Sequence, residues 1–183
     1  MVDGPGKCRG HRRLQGGSNA RQSPIEFEPE NPVVSEAQSH ADDADASPFP
    51  EPVHYARTDS PGWRIPNWTT ANKLLSYLEP EKRHFAVFTL PDNSYAQCLG
   101  SKKALIVEVR VQNADGTFSH WVFGKGALTG VQTHVGPKGA CVKVDQSQVL
   151  TMRDARLIIR EFLERRTLNP RYQRQDVTSR FNT

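Results

Sequence analysis

The chain has 183 residues, 36% of them hydrophobic and 24% charged, with 13 prolines and a formal net charge of +4; this composition fits one ordinary domain, or a smaller domain diluted by unfolded chain. No run approaches the roughly 20 apolar residues that a spanning helix needs, so no membrane contact is expected. Cys8, Cys98 and Cys141 stand alone, without CxxC spacing, which excludes a disulfide framework and a zinc knuckle and points to a reducing, cytoplasmic setting.

Charge is unevenly distributed. Residues 1–23 hold five bases (Lys7, Arg9, Arg12, Arg13, Arg21) against Asp3, residues 24–51 hold eight acids and no Lys or Arg, and the remainder holds 19 bases and 11 acids. Pro24, Pro29, Pro32, Pro48, Pro50 and Pro52 interrupt every stretch that could become an element. Residues 1–60 therefore read as a disordered tail, basic over 1–23 and acidic and proline-rich over 24–51, with too little apolar surface to offset chain entropy. Despite Arg12-Arg13 there is no apolar h-region, so no secretory signal is expected. Residues 61–183 are long enough for a single small domain with its own core.

Order is expected to begin near Trp63 and Trp68, since large aromatics gain by burial. Ala71, Leu74, Leu75 and Leu78 recur at helical spacing, with Thr69 or Thr70 to cap the start and Pro80 to stop it. Strands are predicted at Phe85–Leu90, Tyr95–Leu99, Ala104–Gln112 and Phe118–Phe123, separated by turn residues. In the third, Leu105, Val107, Val109 and Val111 alternate with Ile106, Glu108, Arg110 and Gln112, the pattern of a sheet buried on one side. Asp115-Gly116 closes a hairpin into the fourth. Five glycines between 124 and 139 mark a flexible loop before a last short strand at Ala140–Val144.

Thr151 opens a helix running to about Arg166. Thr151 and Asp154 stand at capping-box spacing, Ala155, Ile158, Ile159, Phe162 and Leu163 form one apolar stripe, and Glu161 and Arg165 are placed for an i,i+4 pair. A polar tail over 172–181 follows Asn169-Pro170. The predicted fold is α+β: an antiparallel meander sheet of about five strands, with a short N-terminal helix and a C-terminal helix packed on one face.

No catalytic constellation is expected. Cys98 and Cys141 fall in predicted strands, where an unpaired cysteine is ordinarily a small buried hydrophobe, and His84, His120 and His134 are scattered singly. The glycine-rich loop matches neither GxGxxG nor GxxxxGK[ST], and neither predicted helix carries His, Asp or Glu at i,i+4 spacing, so no cofactor and no metal are predicted. The most informative cluster is Glu108 and Arg110, two apart and on one strand face, with His120 and Trp121 across the hairpin. Such a cluster is either a cross-strand salt bridge on a wet sheet face or a polar patch presented to a partner. Eight arginines between 153 and 180, with Tyr172 beside them, keep an arginine-mediated nucleic-acid contact open as an alternative. A small enzyme with an unrecognised site is a third reading.

The order Tyr95-Ala-Gln97, Val107-Glu108-Val109-Arg110, Phe118-Ser-His120-Trp121, Val149-Leu150 leading into a helix, and Tyr172 before Asp176-Val-Thr resembles one of the families of small immunity proteins encoded beside bacterial polymorphic toxins. The resemblance covers about residues 70–181. It implies an α+β domain that binds and blocks a cognate toxin domain without catalysis of its own, with Glu108, Arg110, His120 and Asp176 as partner contacts. Two features depart from that pattern: Tyr172-Gln-Arg-Gln stands where a tryptophan is usual, and the sixty-residue tail is foreign to such compact proteins.

Overall fold

The computed structural model describes residues 47–58, 60–79, 82–139 and 141–181. The basic segment and nearly all of the acidic one lie outside these residues. The boundary expected at residue 60 is corrected, because strand β1 occupies Pro48–Arg57 and β2 occupies Ser60–Asn67. Val53, Tyr55 and Ile65 from this pair enter the core. Pro50 and Pro52 are tolerated because regular pairing begins only at Val53, after a register shift, so their missing N–H groups break no ladder.

Helix α1 follows at Trp68–Leu75. Its cap is Asn67 and not Thr69 or Thr70: the Asn67 side chain accepts from Thr70 N at 3.0 Å, and the helix ends at Ser76, well before Pro80. Strands β3 (Phe85–Thr89), β4 (Tyr95–Gly100), β5 (Leu105–Gln112) and β6 (Phe118–Gly124) form an antiparallel meander. Asn113 to Thr117 closes the last hairpin with two backbone bonds, and Gly116 takes φ +84, which side chains adopt only with strain. Gly100 sits at φ +132 where an added Cβ would lie 2.4 Å from the Ala104 carbonyl oxygen, so only glycine closes the tight connection into β5.

The loop expected over 124–139 is not simply flexible. It contains β7 (Gln132–Val135), which pairs with β8 (Val142–Asp145) in a separate two-stranded hairpin. The polar C-terminal segment is likewise structured: β9 (Gln173–Asp176) adds to β6 at the sheet edge. The main sheet thus has seven strands in the order β2-β1-β3-β4-β5-β6-β9, larger than the five expected.

Helix α2 spans Met152–Arg165, and Thr151 and Asp154 form the reciprocal capping box. It buries Met152, Ala155, Ile158, Ile159, Phe162 and Leu163 with the inward residues of β1, β3, β4 and β5 and with α1, in one core on one face of the sheet. Arg165 and Glu161 make the i,i+4 pair at 3.4 Å. The helix stops where expected, at Arg166, which takes φ 56 and ψ 23.

That left-handed conformation aims the Arg166 side chain at two carboxylates, Glu51 on β1 (Nε to Oε1, 3.2 Å) and Asp92 in the β3–β4 turn (Nη1 to Oδ1, 3.2 Å). The guanidinium ties the helix end to the sheet while its backbone is strained. Replacing it by alanine keeps the strain and loses the ion pairs, for about 1 kcal/mol of destabilisation given partial solvent exposure. Replacing it by glycine relieves about 1 kcal/mol of left-handed strain and so nearly cancels that loss. Urea denaturation of both variants measures the difference, and equal losses would contradict the strain argument.

Candidate functional site

The face of the sheet turned away from the helices carries the site. Because side chains alternate, Tyr95 and Gln97 of β4, Glu108 and Arg110 of β5, and His120 and Val122 of β6 all point to this side. Register sets them in two rows: Tyr95, Arg110 and His120 are opposite one another, and Gln97, Glu108, Val122 and Gln175 form the next row.

Glu108, Arg110 and His120 come together as the spacing foretold, but not as an exposed patch. His120 is fully buried. Its Nδ1 accepts from Arg110 Nε at 3.4 Å, which leaves Nε2 as the protonated nitrogen, 3.2 Å from Glu108 Oε2. The imidazole is stacked on Phe181, with centroids 4.5 Å apart, and Tyr95 meets it edge-on at 5.9 Å. Arg110 lies over the rings of Phe118 (4.1 Å), Phe181 (4.9 Å) and Tyr95 (5.1 Å), an aromatic enclosure suited to a planar cation. His120, backed by the half-buried Arg110, therefore holds Glu108 in place and is not itself presented to solvent.

Of the three, Glu108 is the one that lines a cavity. Its Oε2 accepts from Gln97 Nε2 at 2.6 Å as well as from His120. Burial opposes its ionisation, yet the hydrogen bonds from His120 and Gln97 outweigh that and hold the carboxyl below its ordinary value. The side chain retains 21% of its exposure, and it faces a cavity of about 540 Å³ between this sheet face and the β7–β8 hairpin. Apolar walls come from Ile106, Val122 and Val142, while Gln148, Gln175 and Arg180 add polar groups. A smaller adjoining cavity of about 170 Å³ also reaches Glu108.

The base of the hairpin is closed by Asp145. Its carboxylate accepts from the backbone N–H and hydroxyl of Thr129, from Gly130 N and from the backbone N–H and hydroxyl of Ser147. Burial disfavours the ionised form, but these donors hold its carboxyl far below the usual range. A glycine-rich segment that reads as mobile is thus pinned at one carboxylate.

Two predicted contacts lie elsewhere. Trp121 alternates to the helix side and packs against the core, so it cannot share a surface with Glu108. Asp176 is exposed on the edge strand β9, and its Oδ1 accepts from Thr178 N at 2.8 Å to start the final turn, Thr178–Phe181. Gln97 falls in the motif Tyr95-Ala-Gln97, but its role depends on the β4–β5 register. Gln148, Gln175, Arg180 and Phe181 give no periodic signal and are recruited by tertiary structure alone.

Cys98 is fully buried on the helix side, and burial pushes its thiol up to about 12, so it is no nucleophile at neutral pH. Among the described residues no group of three or more His, Cys, Asp or Glu side chains is arranged to hold a metal, and no helix is long and apolar enough to cross a membrane. No protein-family model matches the chain, and no curated protein matches it.

Proposed function

We propose that the chain is a non-enzymatic binding protein that engages a protein partner through the Glu108 cleft, in the manner of an immunity protein that neutralises a toxin domain by direct binding. The observation that carries this reading is one side chain: an ionised carboxylate, held at Oε2 by a buried histidine and a glutamine, on a residue that lines a cavity. A rigid charge on a strand, braced from behind, offers a preorganised contact with little ordering entropy left to lose. The family resemblance of the motif order supports the same conclusion.

The arginine-mediated nucleic-acid reading is weakened by where the arginines go. Arg160 pairs with Glu164 and lies over Trp68, Arg165 pairs with Glu161, Arg166 bridges Glu51 and Asp92, and Arg156 donates to Ser76. Four of the eight are thereby engaged within α2 or between α2 and its neighbours.

The test is affinity capture from the native lysate with the full chain as bait, at low and high salt and after nuclease treatment, alongside Leu128→Arg. Leu128 is 54% exposed at the cleft mouth, so a long cation there blocks entry at a stability cost within about 0.5 kcal/mol. The expected result is one protein partner, kept at high salt and lost with Leu128→Arg. Recovery of nucleic acid that high salt releases would favour the arginine reading, because phosphate contacts weaken steeply with salt.

A further inference from the structure

The cleft is lined by charges of both signs, Glu108 and Asp145 against Lys143 and Arg180, and the Asp145 carboxylate is already taken up by Thr129, Gly130 and Ser147. Glu108 lies on its floor with Oε2 engaged twice, and among the described residues no hydrogen bond reaches Oε1. The floor is flanked by buried Ile106 and Val122, so an incoming group would lose much of its water there. Arg180 and Lys143, both exposed, contribute cations to the same cavity. Neither makes an ion pair with Glu108 within 4.0 Å among the described residues.

A wholly cationic ligand would meet these two outer charges before reaching the floor, whereas an anion alone would find a carboxylate at the bottom. The arrangement is complementary to the opposite order: a cation at the tip of an extended side chain, with acids beside its backbone. Guanidinium suits the floor better than ammonium, because it is more weakly hydrated, packs its flat faces on apolar walls and donates to a carboxylate with directed N–H groups.

We propose that the cleft receives a single arginine side chain presented by an acidic segment of a protein partner, its guanidinium against Glu108 and the flanking carboxylates against Arg180 and Lys143. This inference rests on the protein-binding reading given above and names the chemistry of the partner.

The experiment titrates the isotope-labelled full chain with the blocked tripeptide acetyl-Glu-Arg-Glu-amide and follows backbone amide shifts by NMR. Saturable shifts are expected at Ile106, Val122, Val142 and Gln175. Two controls change only the peptide: acetyl-Glu-Gln-Glu-amide, which lacks the cation, and acetyl-Gln-Arg-Gln-amide, which lacks the acids, and each is expected to bind about tenfold more weakly or worse. Glu108→Gln, whose amide oxygen still accepts from Gln97, is expected to erase the preference for arginine over glutamine.

Equal binding of the arginine and glutamine peptides, an unchanged preference in Glu108→Gln, or no saturable shift at all would overturn the inference. Its failure is distinguishable from that of the function it builds on. If the arginine peptide binds as expected while Leu128→Arg still captures the partner, the cleft stands and the partner docks elsewhere. If capture needs the open cleft but the peptides do not discriminate, the function stands and the arginine ligand falls.

Discussion

His120→Ala is expected to lower the unfolding free energy by about 3 kcal/mol, because it leaves two charges without the group that links them. The ring is fully buried, accepts from Arg110 on one side and approaches Glu108 on the other. Removing it leaves Arg110 among three aromatic rings with no acceptor from the imidazole, takes one of two donors from Glu108 Oε2, and opens a void between Phe181 and Tyr95. Adding Glu108→Gln to His120→Ala is expected to recover about 1 kcal/mol, since a neutral amide tolerates the lost donor better than a carboxylate does. The pH dependence gives a second readout. The carboxyl of Glu108 lies below its unfolded value in the folded chain, so its contribution is complete above the unfolded value near about pH 4.3 and is lost as pH falls through the folded one. His120→Ala should flatten that acid limb. A loss under about 1 kcal/mol in urea denaturation, with an unaltered acid limb, would show that the three residues do not act as one unit.

The parts of this molecule legible in the sequence are those governed by local rules. The alternation from Leu105 to Gln112 assigns the two faces of β5, and Thr151 with Asp154 fixes the start of α2, because both patterns depend only on neighbouring residues. Strand β1 is hidden by its prolines, which count against a strand until it is known that they precede the regular pairing. Strand β9, Gln-Arg-Gln-Asp, has no apolar residue to announce it and forms through backbone bonding to β6. The same division runs through the site. Glu108 and Arg110 share a face by spacing alone, and the Asp-Gly hairpin brings His120 opposite Arg110. That His120 is buried could not be read locally, because Phe181 and Thr178 cover it from more than fifty residues away.

That cover predicts the second large effect. Ending the chain after Asp176 is expected to destabilise it by about 3–4 kcal/mol, of which roughly 2 kcal/mol is the burial of Val177 and the remainder lost hydrogen bonds and ring contacts. Val177 is buried, and its N–H donates to the His120 carbonyl at 2.8 Å while Thr178 Oγ1 accepts from His120 N at 2.8 Å. Phe181 closes the stack on the imidazole and one wall around Arg110. Phe181→Ala alone should cost less, about 1 kcal/mol, because that ring is already 45% exposed. The two variants separate anchoring from shielding. If the truncated chain loses several times the free energy of Phe181→Ala, the final turn is an integral part of the sheet edge that supports Glu108. If the two losses are equal, Val177 and Thr178 contribute nothing beyond the ring, and the bracing of His120 must come from the sheet alone.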